Sequence, residues 1–270
     1  MIAVLWILLA VALLALAYAL LISPAPRPEA RELLGWLYAH RGLHGDGVPE
    51  NSLAAFERAA AAGYGMELDV QLTRDGRLVV FHDETLRRVC GVEGRLCDMT
   101  YDQLRAAPLP DGSAIPLFAD VLALVNGRVP LIVEIKHHGG AERNARAALE
   151  ALQGYAGPYC VESFHPLAVR YFKKHAPNIV RGQLASGDPA RSPELSRAAQ
   201  WAMRQLLVNA AGRPHFVAYT AAYDHTLGMW MMKRIFHPLL AAWTIRDQDT
   251  LDRVSAWCDM PIFERFIPRG

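Results

Sequence analysis

Residues 65–83 read Gly65-Met66-Glu67-Leu68-Asp69-Val70-Gln71-Leu72, then Thr73-Arg74-Asp75-Gly76, then Arg77-Leu78-Val79-Val80-Phe81-His82-Asp83. In a strand, side chains at i and i+2 share a face. Glu67 and Asp69 therefore point at one place, while Leu68 and Val70 point away. Leu78–His82 reads as another strand, but the link Thr73–Gly76 is too short for the crossover that parallel strands need. It is expected to be the return arm of a hairpin above a barrel mouth, which carries His82 back toward Glu67 and Asp69.

Outward from this stretch, short β-rich runs alternate with longer helical ones. Candidate strands are Trp36–Ala39, Gly65–Leu72, Leu78–His82, Leu131–Lys136, Tyr159–Phe164, Ile179–Leu184, Phe216–Tyr219, Leu240–Ile245 and Met260–Glu264. Ser52–Ala62, with Ser52 as cap, and Ala141–Leu152 have helical periodicity. With Leu78–His82 assigned to the hairpin, eight strands remain in βαβ order. That order predicts a (β/α)8 barrel, with residues 84–116 as a small irregular insertion after the second strand. Catalytic groups of such barrels sit at the C-terminal strand ends, where His40, Glu67, Asp69, Glu134, Lys136, Ser163 and Trp243 fall.

The 270-residue chain is long enough for one such domain, and its apolar fraction of 52% is inflated by the first 22 residues. A net charge of +1 gives no general attraction to nucleic acid or anionic membranes, and no basic run or interleaved aromatic patch argues otherwise. Cys90, Cys97, Cys160 and Cys258 have neither metal-site nor disulfide-framework spacing and read as free thiols.

Residues 2–22 carry no charge and would form a helix of about 30 Å, enough to cross hydrocarbon. The competing reading is a cleaved signal peptide with Ala17-Tyr18-Ala19 near the cut. Against it, no Lys or Arg precedes the apolar run, which is longer than a signal core. An uncleaved single-pass anchor is expected, followed by a Pro-rich linker over 23–35 and a catalytic domain over 36–270. Arg27 and Arg31 after the helix place that domain on the cytoplasmic side.

His40-Arg41-Gly42, Glu50-Asn51-Ser52 with Ala55-Phe56, Glu67-Leu68-Asp69-Val70, Thr73-Arg74-Asp75-Gly76, Phe81-His82-Asp83 and Glu134-Ile135-Lys136 occur in this order. Together they resemble the glycerophosphodiester phosphodiesterase family over roughly residues 36–270, and Ser163-Phe164 and Trp243-Thr244 fit its later motifs. The resemblance implies that Glu67, Asp69 and Glu134 ligate one divalent cation, and three carboxylates without cysteine suit Mg²⁺ or Ca²⁺ over Zn²⁺. It also implies that His40 and His82 act as general acid and base, in an order left open. A glycerol hydroxyl would attack phosphorus, expel the alcohol and leave a cyclic phosphate for water to open. Arg41 and Lys136 would stabilise phosphoryl charge. Glu50 would orient Arg41 or merely cap the turn after the first strand; Trp243 would wall the substrate pocket or serve packing alone.

The implied activity is hydrolysis of glycerophosphodiesters to glycerol 3-phosphate and an alcohol. A lysophospholipase-D-like preference for acylated substrates is the nearest alternative, and an inactive phospholipid head-group binder the more distant one. Glu264 stands where the family more often has Asp, and Arg246 where Asn is common, changes expected to fall on the head-group pocket. His44, His137, His138, His165, His175, His215, His225 and His237 are expected on loops or the surface. Leu227–Phe236 reads as an outer barrel helix packing inward, or as a segment touching lipid beside the anchor.

Overall fold

A computed structural model describes residues 1–188 and 195–269; residues 189–194 and 270 of the expected catalytic domain lie outside the described residues. The strands are β1 (Tyr38–Ala39), β2 (Gly65–Leu72), β3 (Leu78–Val80), β4 (Leu131–Ile135), β5 (Tyr159–Ser163), β6 (Arg181–Ala185), β7 (Phe216–Thr220), β8 (Leu239–Ile245) and β9 (Met260–Phe263). All but β3 run parallel, in the order β1-β2-β4-β5-β6-β7-β8-β9, and β1 pairs with both β2 and β9. The sheet is thus a closed (β/α)8 barrel. β3 lies antiparallel on β2 with Leu72 opposite Leu78, so the short link does form a hairpin.

The helices are α1 (Ile2–Ile22), α2 (Leu53–Ala61), α3 (Arg87–Cys90), α4 (Tyr101–Arg105), α5 (Phe118–Val125), α6 (Ala141–Leu152), α7 (Pro166–His175), α8 (Arg197–Arg204), α9 (Asn209–Gly212), α10 (Leu227–Met231) and α11 (Gln248–Val254). Local chemistry sets several of their starts. Ser52 Oγ accepts the Ala55 amide at 3.1 Å, which caps α2. Pro166 opens α7 at a position whose amide needs no partner. On α6, Ala141, Ala145, Ala148 and Leu152 form the buried stripe against the sheet.

The barrel strands are buried on both faces, and their alternation sorts two cores. Leu68, Val70, Val133, Ile135 and Val161 face the helical layer, with Phe56, Ala145 and Phe172. Tyr38, Ile132, Cys160, Leu184, Phe216 and Met260 share the other core, in the lumen. At Gly182 a Cβ would come within 2.2 Å of the Phe216 ring, so only glycine lets that ring fill the lumen. The insertion builds a small core of its own from Leu86, Leu96, Leu104, Leu109 and Ile115 against Val79 and Phe81. The four cysteines are free thiols.

α1 is long and apolar enough to cross a membrane, and its most apolar window is only 6% buried. Its last turn packs on the domain. The proline-rich segment after it is docked as well: Ala25 N donates to Pro214 O at 2.9 Å, and Arg27 pairs with Asp259 at 2.7 Å.

Candidate active site

The period of β2 sends Glu67 and Asp69 into the lumen, and the β2–β4 register sets Glu134 directly beside Asp69. One carboxylate oxygen from each of the three lies within 4.8 Å of the others, and all three residues are buried. Oxygens bound to one Mg²⁺ or Ca²⁺ at about 2.0–2.6 Å are at most about 5 Å apart, so this donor set fits a hard divalent cation. The charge around it is uneven. Burial, then Asp69 and Glu134, push the Glu67 carboxyl well up. Burial likewise pushes Glu134 up to about 7. Burial also raises Asp69, but Lys136, His82 and Arg41 outweigh it and hold that carboxyl well below its usual range. Lys136 Nζ sits 2.8 Å from Asp69 Oδ1 and 2.7 Å from Glu134 Oε1.

The loop after β1 supplies the next groups. Arg41 and Asn51 both adopt the left-handed region, at φ 56° and 55°. A Cβ on Gly42 would fall 2.9 Å from the Ala55 backbone, so glycine is required where this loop crosses α2. The loop aims the Arg41 amide at Glu67 Oε2 (3.0 Å) and the Asn51 amide group at Asp69 Oδ2 (2.8 Å). The Arg41 guanidinium lies 2.6 Å from Glu50 Oε1 and 3.4 Å from Asp69 Oδ2. Glu50 in turn receives Arg88 at 2.6 Å. Glu50 therefore holds Arg41 in place, and burial, which would raise its carboxyl, yields to the two arginines, leaving it at about 2.

Each of the two motif histidines has a carboxylate on Nδ1. His40 Nδ1 lies 2.6 Å from Glu264 Oε2, and His82 Nδ1 lies 2.6 Å from Asp83 Oδ1. A carboxylate only accepts, so both rings carry their proton on Nδ1 and leave Nε2 free. His40 Nε2 faces Glu67 Oε2 at 3.9 Å. Burial lowers both imidazoles: His40 despite Glu264, and His82 to about 4, with Lys136 helping.

Glu264 corrects one expectation. Together with Arg246, it was expected in the head-group pocket. Instead Arg246 Nε donates to Glu264 Oε1 at 2.7 Å, and Glu264 is held on His40, so both changes lie behind the imidazole. His44 lies close enough to Glu264 to form a second cluster with His40, but the His40–Glu264 hydrogen bond accounts for that grouping.

Ser163 is a second correction. Its hydroxyl donates to Ile135 O at 2.6 Å and accepts the His165 amide, between β5 and α7 and away from the lumen. The residue that β5 turns into the lumen at this level is Glu162, which the sequence reading passed over. It is paired in register with Glu134 and 2% exposed, and its Oε2 has no hydrogen-bond partner. Burial, then Glu134 and Asp69, push its carboxyl well up.

Glu162 shares a narrow chamber with His40, Glu67, His82 and Glu134, walled by Phe164, Leu184 and Trp243. The Phe164 and Trp243 rings meet edge to face at 5.5 Å. Beside the chamber a cavity of about 690 Å³ opens past His82 and Lys136, lined also by Glu84, Arg95 and Phe164. His137 and His138, expected only as loop residues, line this cavity too.

The model of the family described as "Glycerophosphoryl diester phosphodiesterase family" matches residues 40–263. A glycerophosphodiester phosphodiesterase of Bacillus altitudinis is 36% identical over 157 residues, 53% of this chain and 63% of that protein. A glycerophosphodiester phosphodiesterase of Caldanaerobacter subterraneus is 36% identical over 159 residues, 54% of this chain and 65% of its own length. The chain thus spans just under two thirds of these relatives. Among solved structures, an Oleispira antarctica phosphodiesterase in complex with sn-glycerol-3-phosphate superposes with a TM-score of 0.71 at 23% identity, covering 87% of this chain and 94% of that one. At that identity the likeness speaks to the barrel alone.

Proposed function

Because the chain belongs to the glycerophosphoryl diester phosphodiesterase family, we propose that it hydrolyses glycerophosphodiesters to glycerol 3-phosphate and an alcohol. One observation carries this reading: two imidazoles, each held at Nδ1 by a carboxylate, line one chamber with Glu67 and Glu134, two of the three buried acids that cluster there. Mg²⁺ or Ca²⁺, held by Glu67, Asp69 and Glu134, would supply positive charge against the phosphoryl oxygens.

The remaining work falls to the chain's own groups. One Nε2, of His40 or His82, takes the proton of the glycerol hydroxyl beside phosphorus as it attacks. The other, entering the step as an imidazolium protonated on Nε2 as well as Nδ1, gives its Nε2 proton to the departing alcohol, and the roles reverse when water opens the cyclic phosphate. Both lowered pKa values keep a neutral, accepting imidazole available near neutrality. The carboxylates on Nδ1 stabilise the imidazolium when it forms. Arg41, fixed by Glu50, and Lys136 offset phosphoryl charge. Phe164 and Trp243 wall the chamber and exclude water around the glycerol.

α1 serves as a single-pass anchor in this reading, with the domain on the cytoplasmic side. The same site would accept a lysophospholipid if its acyl chain were accommodated. Retention of His40, His82 and all three acids weighs against an inactive head-group binder. A panel of glycerophosphocholine, other glycerophosphodiesters and lysophosphatidylcholine, run with Mg²⁺ or Ca²⁺, tests the reading. Glycerol phosphate release from the deacylated substrates is expected; no release from any member of the panel would overturn it.

A further inference from the structure

We propose that the flank of the barrel carrying Trp201, Leu227 and Trp230 is a lipid-docking face, seated in the head-group boundary of a bilayer containing anionic phospholipid. This rests on the anchor reading of α1 and adds to it: the domain is held against the membrane rather than tethered above it.

The last turn of α1 belongs to the domain. Tyr18 Oη donates to Gln205 O at 3.1 Å, and Ile22 is wholly buried in the core that holds Leu206, Met229, Met232 and Leu240. Two of the carbonyls that a helix end leaves unpaired are satisfied by the domain. Asn209 Nδ2 donates to Ile22 O at 2.9 Å, and Arg213 Nη1 to Leu20 O at 2.6 Å. Yet on this same turn Leu20 and Leu21 remain 58% and 45% exposed, continuous with exposed Leu13, Leu14 and Leu16. If hydrocarbon covers that run, the bilayer boundary reaches the level at which Tyr18 touches the domain.

At that level the domain presents Gln205, just after α8, and Gly228, in α10. A Cβ on Gly228 would lie 3.3 Å from the Tyr18 hydroxyl. Trp201 is one helical turn before Gln205; Leu227 directly precedes Gly228, and Trp230 lies one turn on from Leu227 along the same side of α10. Their exposures are 56%, 57% and 54%, where an outer barrel helix in water would carry polar groups. Indoles favour the interface, with one apolar face and one N–H. The charge agrees. Exposed Arg204 and Arg234 stand within one turn of the two tryptophans. Between Leu195 and Arg246 the sole acidic residue is Asp224, which is buried against Lys233 at 2.6 Å. Such a surface suits anionic head groups.

The test uses the full chain in vesicles of phosphatidylcholine and phosphatidylglycerol carrying a doxyl-labelled lipid. Subtracting the tryptophan emission of Trp201→Phe/Trp230→Phe from that of the unaltered chain isolates these two indoles. If the pair does not fold, each single substitution isolates one of the two indoles by the same subtraction. Most of the isolated emission is expected to be quenched by the doxyl lipid and little of it by aqueous iodide. The reverse pattern, in a chain that alkaline carbonate does not strip from the vesicles, would overturn the docking face while leaving the anchor standing. Release of the chain by carbonate would overturn both.

Discussion

Nδ1 of His40, in the first residue after β1, lies 2.6 Å from Oε2 of Glu264, in the first residue after β9. The two are 224 positions apart in the chain and meet because β1 closes the barrel on β9. Burial would raise the Glu264 carboxyl, but the hydrogen bond from His40 and the nearby His40 and Arg246 charges hold it far below its usual range. The carboxylate, accepting from His40 Nδ1, biases the ring toward the Nε2-free tautomer. Glu264→Ala should lower kcat by roughly 10- to 100-fold, as for other groups that orient a working imidazole. Glu264 raises the His40 pKa, so its loss should also move to lower pH the limb of the pH–rate profile that His40 sets, the acid limb if it is the base and the alkaline limb if it is the acid. A limb that stays in place would show that Glu264 merely packs.

Substitution of either imidazole removes a proton carrier. His40→Ala and His82→Ala should each reduce kcat by about 10²- to 10⁴-fold with little change in thermal stability. Initial rates and melting curves on the same preparations check this. An unchanged rate in either variant would remove that histidine from the chemistry.

Ser163 gives the opposite expectation. Its hydroxyl ties β5 to Ile135 O outside the lumen, so Ser163→Ala should cost about 1 kcal/mol of stability and leave kcat/KM unaltered. Urea unfolding beside steady-state kinetics separates the two. A loss of kcat/KM without loss of stability would put Ser163 back in the substrate pocket.

Glu162 carries a pH signature. Its carboxyl is raised in the folded chain, so above the unfolded value near 4.5 the folded state holds a proton that the unfolded state releases. The unaltered chain therefore loses stability from this group as pH rises. In EDTA, Glu162→Gln should be more stable than the unaltered chain at pH 8 by on the order of 1 kcal/mol or more, and the gap should shrink toward pH 5. Melting temperatures across that range measure it. A gap that widens toward low pH would contradict the assignment.

The parts of this site legible in the sequence are those set by local periodicity. Glu67 and Asp69 follow from the two-residue repeat of β2, and His82 follows from a link too short for a crossover. Ser52 announced its helix by its capping position. What escaped depends on register and closure. Whether Glu162 or Ser163 faces the lumen is decided by the pairing of β5 with β4, and a motif centred on Ser163 pointed to the wrong neighbour. The Arg246–Glu264–His40 chain needs the closed barrel, which no local spacing encodes. The insertion is built from helices as short as Arg87–Cys90 and Tyr101–Arg105, too brief to impose a hydrophobic period.

The central claim is that Glu67, Asp69 and Glu134 hold one divalent cation that the reaction requires. Its most direct test is the rate of glycerol phosphate release from glycerophosphocholine by the chelator-stripped chain as Mg²⁺ or Ca²⁺ is added back. The account predicts a negligible starting rate that rises to a plateau along a single-site curve, and no such rise in Glu67→Gln/Glu134→Gln. A stripped chain that hydrolyses at full rate, indifferent to added cation, would contradict it.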